Sequence, residues 1–153
     1  MKTGKQMVKI VREKYPTEDV YEICKSEGIA IVKTEMEENR FGIYLPVDKL
    51  CRLIVLEVGM APEVEQEVLA YELYYHFTPA KTDHVDPAKR RLLRYFPYLL
   101  GKWQAHSFAS LLLCPDVSKC RSVREIMEEY SCTEKVAEHR WRVEEAAMKY
   151  GGS

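Results

Sequence analysis

The sequence predicts an α+β fold: a small, mostly antiparallel three-stranded sheet packed with five to seven helices. Three observations carry this. The run 64–77, VEQEVLAYELYYHF, has no Gly or Pro and mixes Val, Leu, Ala and Glu as a buried helix does. Before it come three short stretches rich in β-branched and aromatic residues, as strands are. Segments of helical pattern flank them on both sides. Apolar residues make up 46% and charged residues 31%, a composition that builds a core and argues against disorder.

Residues 5–14 read as a first amphipathic helix, with Met7, Val8, Ile10 and Val11 on its apolar side. Tyr15-Pro16 breaks it. Thr17 is placed to cap a second helix over 18–27, with Asp and Glu in its first turn and Gly28 at its end. Strands are expected at 29–33, at 41–45 where Pro46 ends the run, and at 49–58. In the last of these, Leu53 to Leu56 are continuously apolar, as in a strand covered on both faces. A meander of the three is the simplest sheet.

The central helix is expected over 62–77. Ala61-Pro62-Glu63 starts it, because Pro is tolerated in a first turn and acids are favoured there. Thr78-Pro79 stops it. A polar connection follows over 79–87, then helical pieces over 88–96 and 98–113, separated by Pro97. Between positions 81 and 102 stand six basic residues, Lys81, Lys89, Arg90, Arg91, Arg94 and Lys102, against Asp83 and Asp86. This segment is either a solvated face or a contact for an acidic partner or for nucleic acid, whose phosphates would make such binding salt-dependent. Ser122-Val123-Arg124-Glu125 has the form of a capping box and opens a short helix through Tyr130. Thr133 can cap a last helix reaching about Tyr150. The pair resembles a helix-turn-helix, but Glu134, Glu138, Glu144 and Glu145 among its basic residues argue against a helix that reads DNA.

At 153 residues the chain is long enough for one domain, expected over 1–150, with Gly151-Gly152-Ser153 a loose tail. A net charge of −1 supplies no global field toward nucleic acid or a membrane. No apolar run approaches a membrane span and no signal segment follows Met1, so a cytoplasmic location is expected. The five cysteines form no C-x-x-C pair and read as buried thiols in a reducing compartment.

Val64, Val68, Tyr71 and Tyr75 recur every three to four residues and share one face of the central helix. Within it, Ala70-Tyr71-Glu72-Leu73-Tyr74-Tyr75 has the outline of a zinc helix without its ligands. In H-E-x-x-H, two His at i and i+4 grip zinc and the Glu acts as general base on the bound water. Tyr71 and Tyr75 stand at the His positions and Glu72 at the Glu. An ordinary core helix with a tyrosine stripe has the same spacing.

A second stretch, 103–116, reads WQAHSFASLLLCPD. Together the two resemble the ImmA/IrrE family of small metallopeptidase-like proteins. That family carries E-A-N-x-F-A-A-x-L-L-M-P downstream of H-E-L-G-H. Here Gln104-Ala105-His106-Ser107-Phe108-Ala109-Ser110 and Leu112-Leu113-Cys114-Pro115 follow it in order, and the resemblance covers roughly residues 3–145. It implies a zincin-like fold and a groove between the Tyr71 and Gln104 helices. It also places the three zinc ligands on Tyr71, Tyr75 and Gln104, and the base on Glu72.

All three ligand positions have changed chemistry. A phenol binds zinc poorly because its pKa near 10 must first be pulled down, and a neutral amide is a weak ligand. The resemblance therefore implies a catalytically inactive metallopeptidase-like protein with no metal ligands and no cofactor. It would bind a protein or peptide, such as a repressor or regulator of a mobile genetic element or stress response. Tyr71, Tyr74, Tyr75, Trp103 and Gln104 would line the groove, with Glu72 a residual catalytic position. The alternative is a divergent zinc-dependent metallopeptidase that cleaves a repressor.

Four histidines offer replacement ligands. His76 lies five positions from Tyr71, about 140° round the helix, and is expected to point elsewhere. His106 lies two from Gln104, about 200° away, and is expected to leave the cleft. His84 falls on the connection and His139 in the last helix; surface or structural roles are expected for both. Glu72, set among tyrosines in a closed cleft, is expected to have a raised pKa if desolvated, or else a hydrogen bond from a phenol. A tyrosine hydroxyl or a basic side chain is expected to hold it.

Overall fold

The computed structural model describes residues 2–79 and 96–150, and of residues 96–100 the backbone alone. The expected connection at 79–87 beyond Pro79, most of the helical piece at 88–96, His84 and the basic residues from Lys81 to Arg94 lie outside the described residues. Those described form six helices and three strands: α1 (Gly4–Lys14), α2 (Val20–Ser26), β1 (Ile29–Thr34), β2 (Gly42–Pro46), β3 (Arg52–Glu57), α3 (Pro62–Phe77), α4 (Phe96–Leu113), α5 (Val123–Tyr130) and α6 (Glu134–Lys149).

Local chemistry sets most of these ends. Thr3 and Gln6 form a reciprocal capping box on α1. The cap of α2 is Asp19, whose carboxylate accepts the Tyr21 N–H, and not Thr17; the Thr17 hydroxyl instead accepts the Asp19 N–H and donates to Glu22. The helix consequently starts two residues later than the charge pattern suggested. Ser122 caps α5 through the Glu125 N–H at 3.2 Å, while the Glu125 carboxylate reaches past the cap to the Arg121 N–H. Thr133 caps α6 through the Val136 N–H at 3.2 Å.

The sheet has the order β1-β3-β2 and is mixed, not a meander and not mostly antiparallel. β1 runs parallel to β3, pairing Ile29 with Arg52 through Thr34 with Glu57. β2 runs antiparallel to β3, pairing Gly42 with Leu56 through Pro46 with Arg52. The apolar strand takes the centre, where both of its edges are paired, but it is not covered on both faces as expected: Ile54 and Leu56 on the inner face are fully buried, whereas Leu53 and Val55 on the other are half-buried. β2 is left on the edge, where Pro46 has no N–H to withhold from a ladder.

One core lies between the sheet and the helices. Leu69, Ala70, Leu73 and Tyr74 of α3 pack with Ala105, Phe108, Ala109 and Leu112 of α4, with Ile54 and Leu56 below and Val8, Val11, Val20 and Ile23 at the flank. α1 comes so close to α4 that a Cβ on Gly4 would overlap the Gln104 carbonyl and lie 2.7 Å from the Phe108 nitrogen. Glycine supplies that approach. A smaller cluster, Cys114, Val117, Ile126, Val136 and Ala137, joins the end of α4 to α5 and α6. The buried Arg140 ties it together, with Nε 2.8 Å from the Cys114 carbonyl and Nη1 2.8 Å from Glu144. Among the described residues no helix is long and apolar enough to cross a membrane.

Candidate binding cleft

A cleft of about 670 Å³ lies against α3. Its floor is the face read from the spacing of Val64, Val68, Tyr71 and Tyr75, together with Glu67 and Glu72. One wall is the chain entering β2, from Asn39 to Gly42; the other comes from Lys102 and His106 of α4 and Lys135 of α6. The two motif helices do meet, with the Tyr71 ring 4.7 Å from the His106 ring.

The phenols hold one another. The Tyr71 and Tyr75 hydroxyls are 3.0 Å apart and their rings meet edge to face at 5.5 Å. One turn apart on a helix, two tyrosines reach each other in this way.

Glu72 lies beside them. Its Oε2 accepts the main-chain N–H of Tyr44 at 3.1 Å. Burial pushes the carboxyl from its ordinary value of 4.5 up to about 7, against the pull of that N–H and of Arg40. The raised pKa agrees with expectation, but the partner does not: a peptide N–H, and neither a phenol nor a basic side chain, makes this hydrogen bond. The reason is the sheet order. Tyr44 sits on the edge strand, and its N–H, turned away from β3, needs an acceptor that the helix supplies. Glu67 is also pushed upward by burial, opposed by Lys135 and by the Thr133 hydroxyl, which donates to it at 3.3 Å.

Three groove assignments do not hold. Tyr74 is 1% exposed; its ring packs on Phe108 and its hydroxyl donates to the Lys2 carbonyl. It lies one residue, about 100°, from Tyr75 and belongs to the inner face. Gln104 turns to the opposite side of α4, where its Oε1 accepts the Gly4 N–H at 2.6 Å. The first N–H groups of α1 lack helical acceptors, and this amide supplies one. Trp103, 43% exposed, lines an adjoining hollow and not the tyrosine cleft. With Gln104 rotated away, His106 faces the cleft, contrary to expectation.

His76 does point elsewhere: Nδ1 meets the Tyr44 hydroxyl at 2.9 Å and Nε2 the Glu27 carboxylate at 3.1 Å. His139 is structural in part, its Nε2 3.0 Å from the Ser107 hydroxyl. Sequence reasoning missed Arg40, Glu67, Lys102, His106 and Lys135 as lining residues. Glu67 was recoverable, three positions from Val64 on the same helix. The others come from distant segments with no local signal of convergence.

The zinc ion of the alternative, metallopeptidase reading does not fit the residues at the three ligand positions. Two of its three positions are phenols bonded to each other, and the third is an amide turned away and bonded to Gly4. Among the described residues no three His, Cys, Asp or Glu side chains are grouped so as to hold a metal ion. The chain matches no protein-family model, and no curated protein matches its sequence.

Proposed function

We propose that this chain is a non-catalytic, ImmA/IrrE-like protein whose zincin-like scaffold serves to bind a protein or peptide in the α3 cleft. The partner we infer is a regulator, such as a repressor of a mobile genetic element or stress response, met in the cytoplasm. One observation carries the reading: the phenols at the two histidine positions are bonded to each other while the third ligand position is turned out of the cleft. What remains is a partly apolar recess floored by rigid aromatic rings, the kind of surface that anchors a partner side chain.

The test has two arms. A photo-crosslinking amino acid placed at Val64 is expected to capture one defined partner, and Tyr71→Ala is expected to abolish the capture while lowering the melting temperature by only a few degrees. Capture unaffected by Tyr71→Ala and Tyr75→Ala together would overturn the reading. In the second arm, protein purified in added zinc is expected to carry no stoichiometric metal.

A divergent metallopeptidase that cleaves a repressor is the competing reading. Glu72 favours it, since a carboxyl pushed to about 7 suits a general base, and so does His106 beside Tyr71. Stoichiometric zinc that is lost on His106→Ala would transfer the conclusion to that reading.

A further inference from the structure

A second hollow of about 310 Å³ opens on the far side of His106. Trp103 and His139 form its walls, Lys102, Lys135 and Arg142 surround it, and among the described residues Glu138 is the acid that lines it. Lys102, His106 and Lys135 line both this hollow and the tyrosine cleft, so the two form one trough. A row of rings runs along it. Centroids are separated by 5.5 Å from Tyr75 to Tyr71, 4.7 Å from Tyr71 to His106, 5.7 Å from His106 to His139, and 4.3 Å from His139 to Trp103.

We propose that this trough binds an acidic peptide segment, with carboxylates set against Lys135 and Arg142 and a neighbouring aromatic or apolar side chain laid on Trp103. The inference deepens the binding function proposed above and rests on it for the tyrosine end of the trough.

Charge complementarity selects the occupant. Arg40, Lys102, Lys135 and Arg142 stand along the trough in a chain whose net charge is −1, so positive charge is concentrated here locally. The imidazoles do not change that balance at neutral pH. Burial, reinforced by Lys135, Lys102 and Arg142, holds both His106 and His139 down at about 4. The opposing acids are weakened, because Glu67 and Glu72 are both pushed upward by burial. A basic segment would meet this field unfavourably. A nucleic-acid backbone, charged at every unit, would meet Glu138 on one side and Glu67 on the other, whereas a peptide can place neutral residues there. Lys135, Arg142 and Trp103 are exposed, so a peptide reaches them without rearrangement of the core.

Three probes would be titrated into the full chain carrying Trp141→Phe, with Trp103 fluorescence as the readout. They are a twelve-residue Asp/Glu peptide with one Phe, its Lys-substituted counterpart, and a single-stranded oligonucleotide. The acidic peptide is expected to change the signal at a concentration at least about tenfold lower than either other probe, and to weaken as salt rises through a screening length of about 8–10 Å. Lys135→Glu with Arg142→Glu, both on exposed positions, is expected to reverse the preference between the two peptides. No response to the acidic peptide, or a tighter response to the oligonucleotide, overturns the proposal. The two readings fail separately: Tyr71-dependent capture of a partner without acidic-peptide binding leaves the cleft function standing, and the converse leaves only the trough.

Discussion

The inner face of α3, Leu69, Ala70, Leu73 and Tyr74, is wholly covered, whereas its outer face, Val64, Val68, Tyr71 and Tyr75, is only partly so. The inner face is apolar and aromatic, while the outer one sets Glu67 and Glu72 beside its apolar and aromatic residues. An apolar stripe left partly open is a surface on which a partner can be laid. The inner face is held by shape, with rings and branched side chains filling space against α4 and the sheet. The outer face carries polar bonds as well: hydroxyl to hydroxyl at Tyr71 and Tyr75, and carboxylate to strand edge at Glu72. The first kind of face specifies the fold, and the second keeps a recess in a fixed form.

The sharpest way to break this distinction is to truncate one residue on each face. Leu73→Ala is expected to cost about 2–5 kcal/mol of unfolding free energy, since it opens a cavity among residues with no exposure. Tyr71→Ala is expected to cost well under half as much, because its ring is already partly in solvent. Urea denaturation of the two variants measures both. Equal losses would mean that the outer face is core, and that the cleft has no claim to a binding role.

A second comparison runs along the helix, between two glutamates seven residues apart. Glu65 accepts the Tyr21 hydroxyl at 2.6 Å and pairs with Lys33 at 3.0 Å, and these hold its pKa below the usual carboxylate range. Glu72 has one peptide N–H and is held up at about 7. The two therefore act on stability with opposite sign. Folded Glu72 keeps its proton where the unfolded chain, titrating near 4.5, has lost it. Its contribution is present below about 4.5 and lost as pH rises to about 7, by at most about 3 kcal/mol. Glu72→Gln keeps an acceptor for the Tyr44 N–H and removes that loss. Its stability relative to the parent is expected to climb between pH 5 and 8, read from denaturation midpoints across that range. A flat difference would show that Glu72 is not desolvated.

The smallest effect belongs to Glu65. Tyr21→Phe removes one hydrogen bond to a charged group and is expected to cost about 1–2 kcal/mol at pH 7. Because the folded pKa of Glu65 is depressed, the stability it contributes is present above its unfolded pKa near 4.5 and fades as pH falls through the lower folded value. The gap between Tyr21→Phe and parent should accordingly close in acid, which denaturation at pH 7 and pH 3 would show. A gap that widened in acid would contradict the assignment of Tyr21 as the main support of this carboxylate.

Much of this architecture is legible from spacing. The outer face of α3 follows from the interval between Val64, Val68, Tyr71 and Tyr75, and the starts of α5 and α6 follow from Ser122 and Thr133. These are short-range facts, since capping and helical periodicity act within one or two turns. Thr17 and Asp19 mark the limit of that reasoning: both can cap, and a hydrogen bond from the Asp19 N–H to the Thr17 hydroxyl decides between them.

What the amino-acid order determined by itself was which segments coil, which extend, and that the central helix carries an aromatic stripe at Tyr71 and Tyr75. Tertiary structure alone decided the strand order, the partner of Glu72 and the rotation of α4 that turns Gln104 out and His106 in. Helix α4 is apolar around most of its girth, so its own periodicity states no preferred rotation. The choice came from the close approach of α1 at Gly4, where an orphan N–H required an acceptor and Gln104 was within reach.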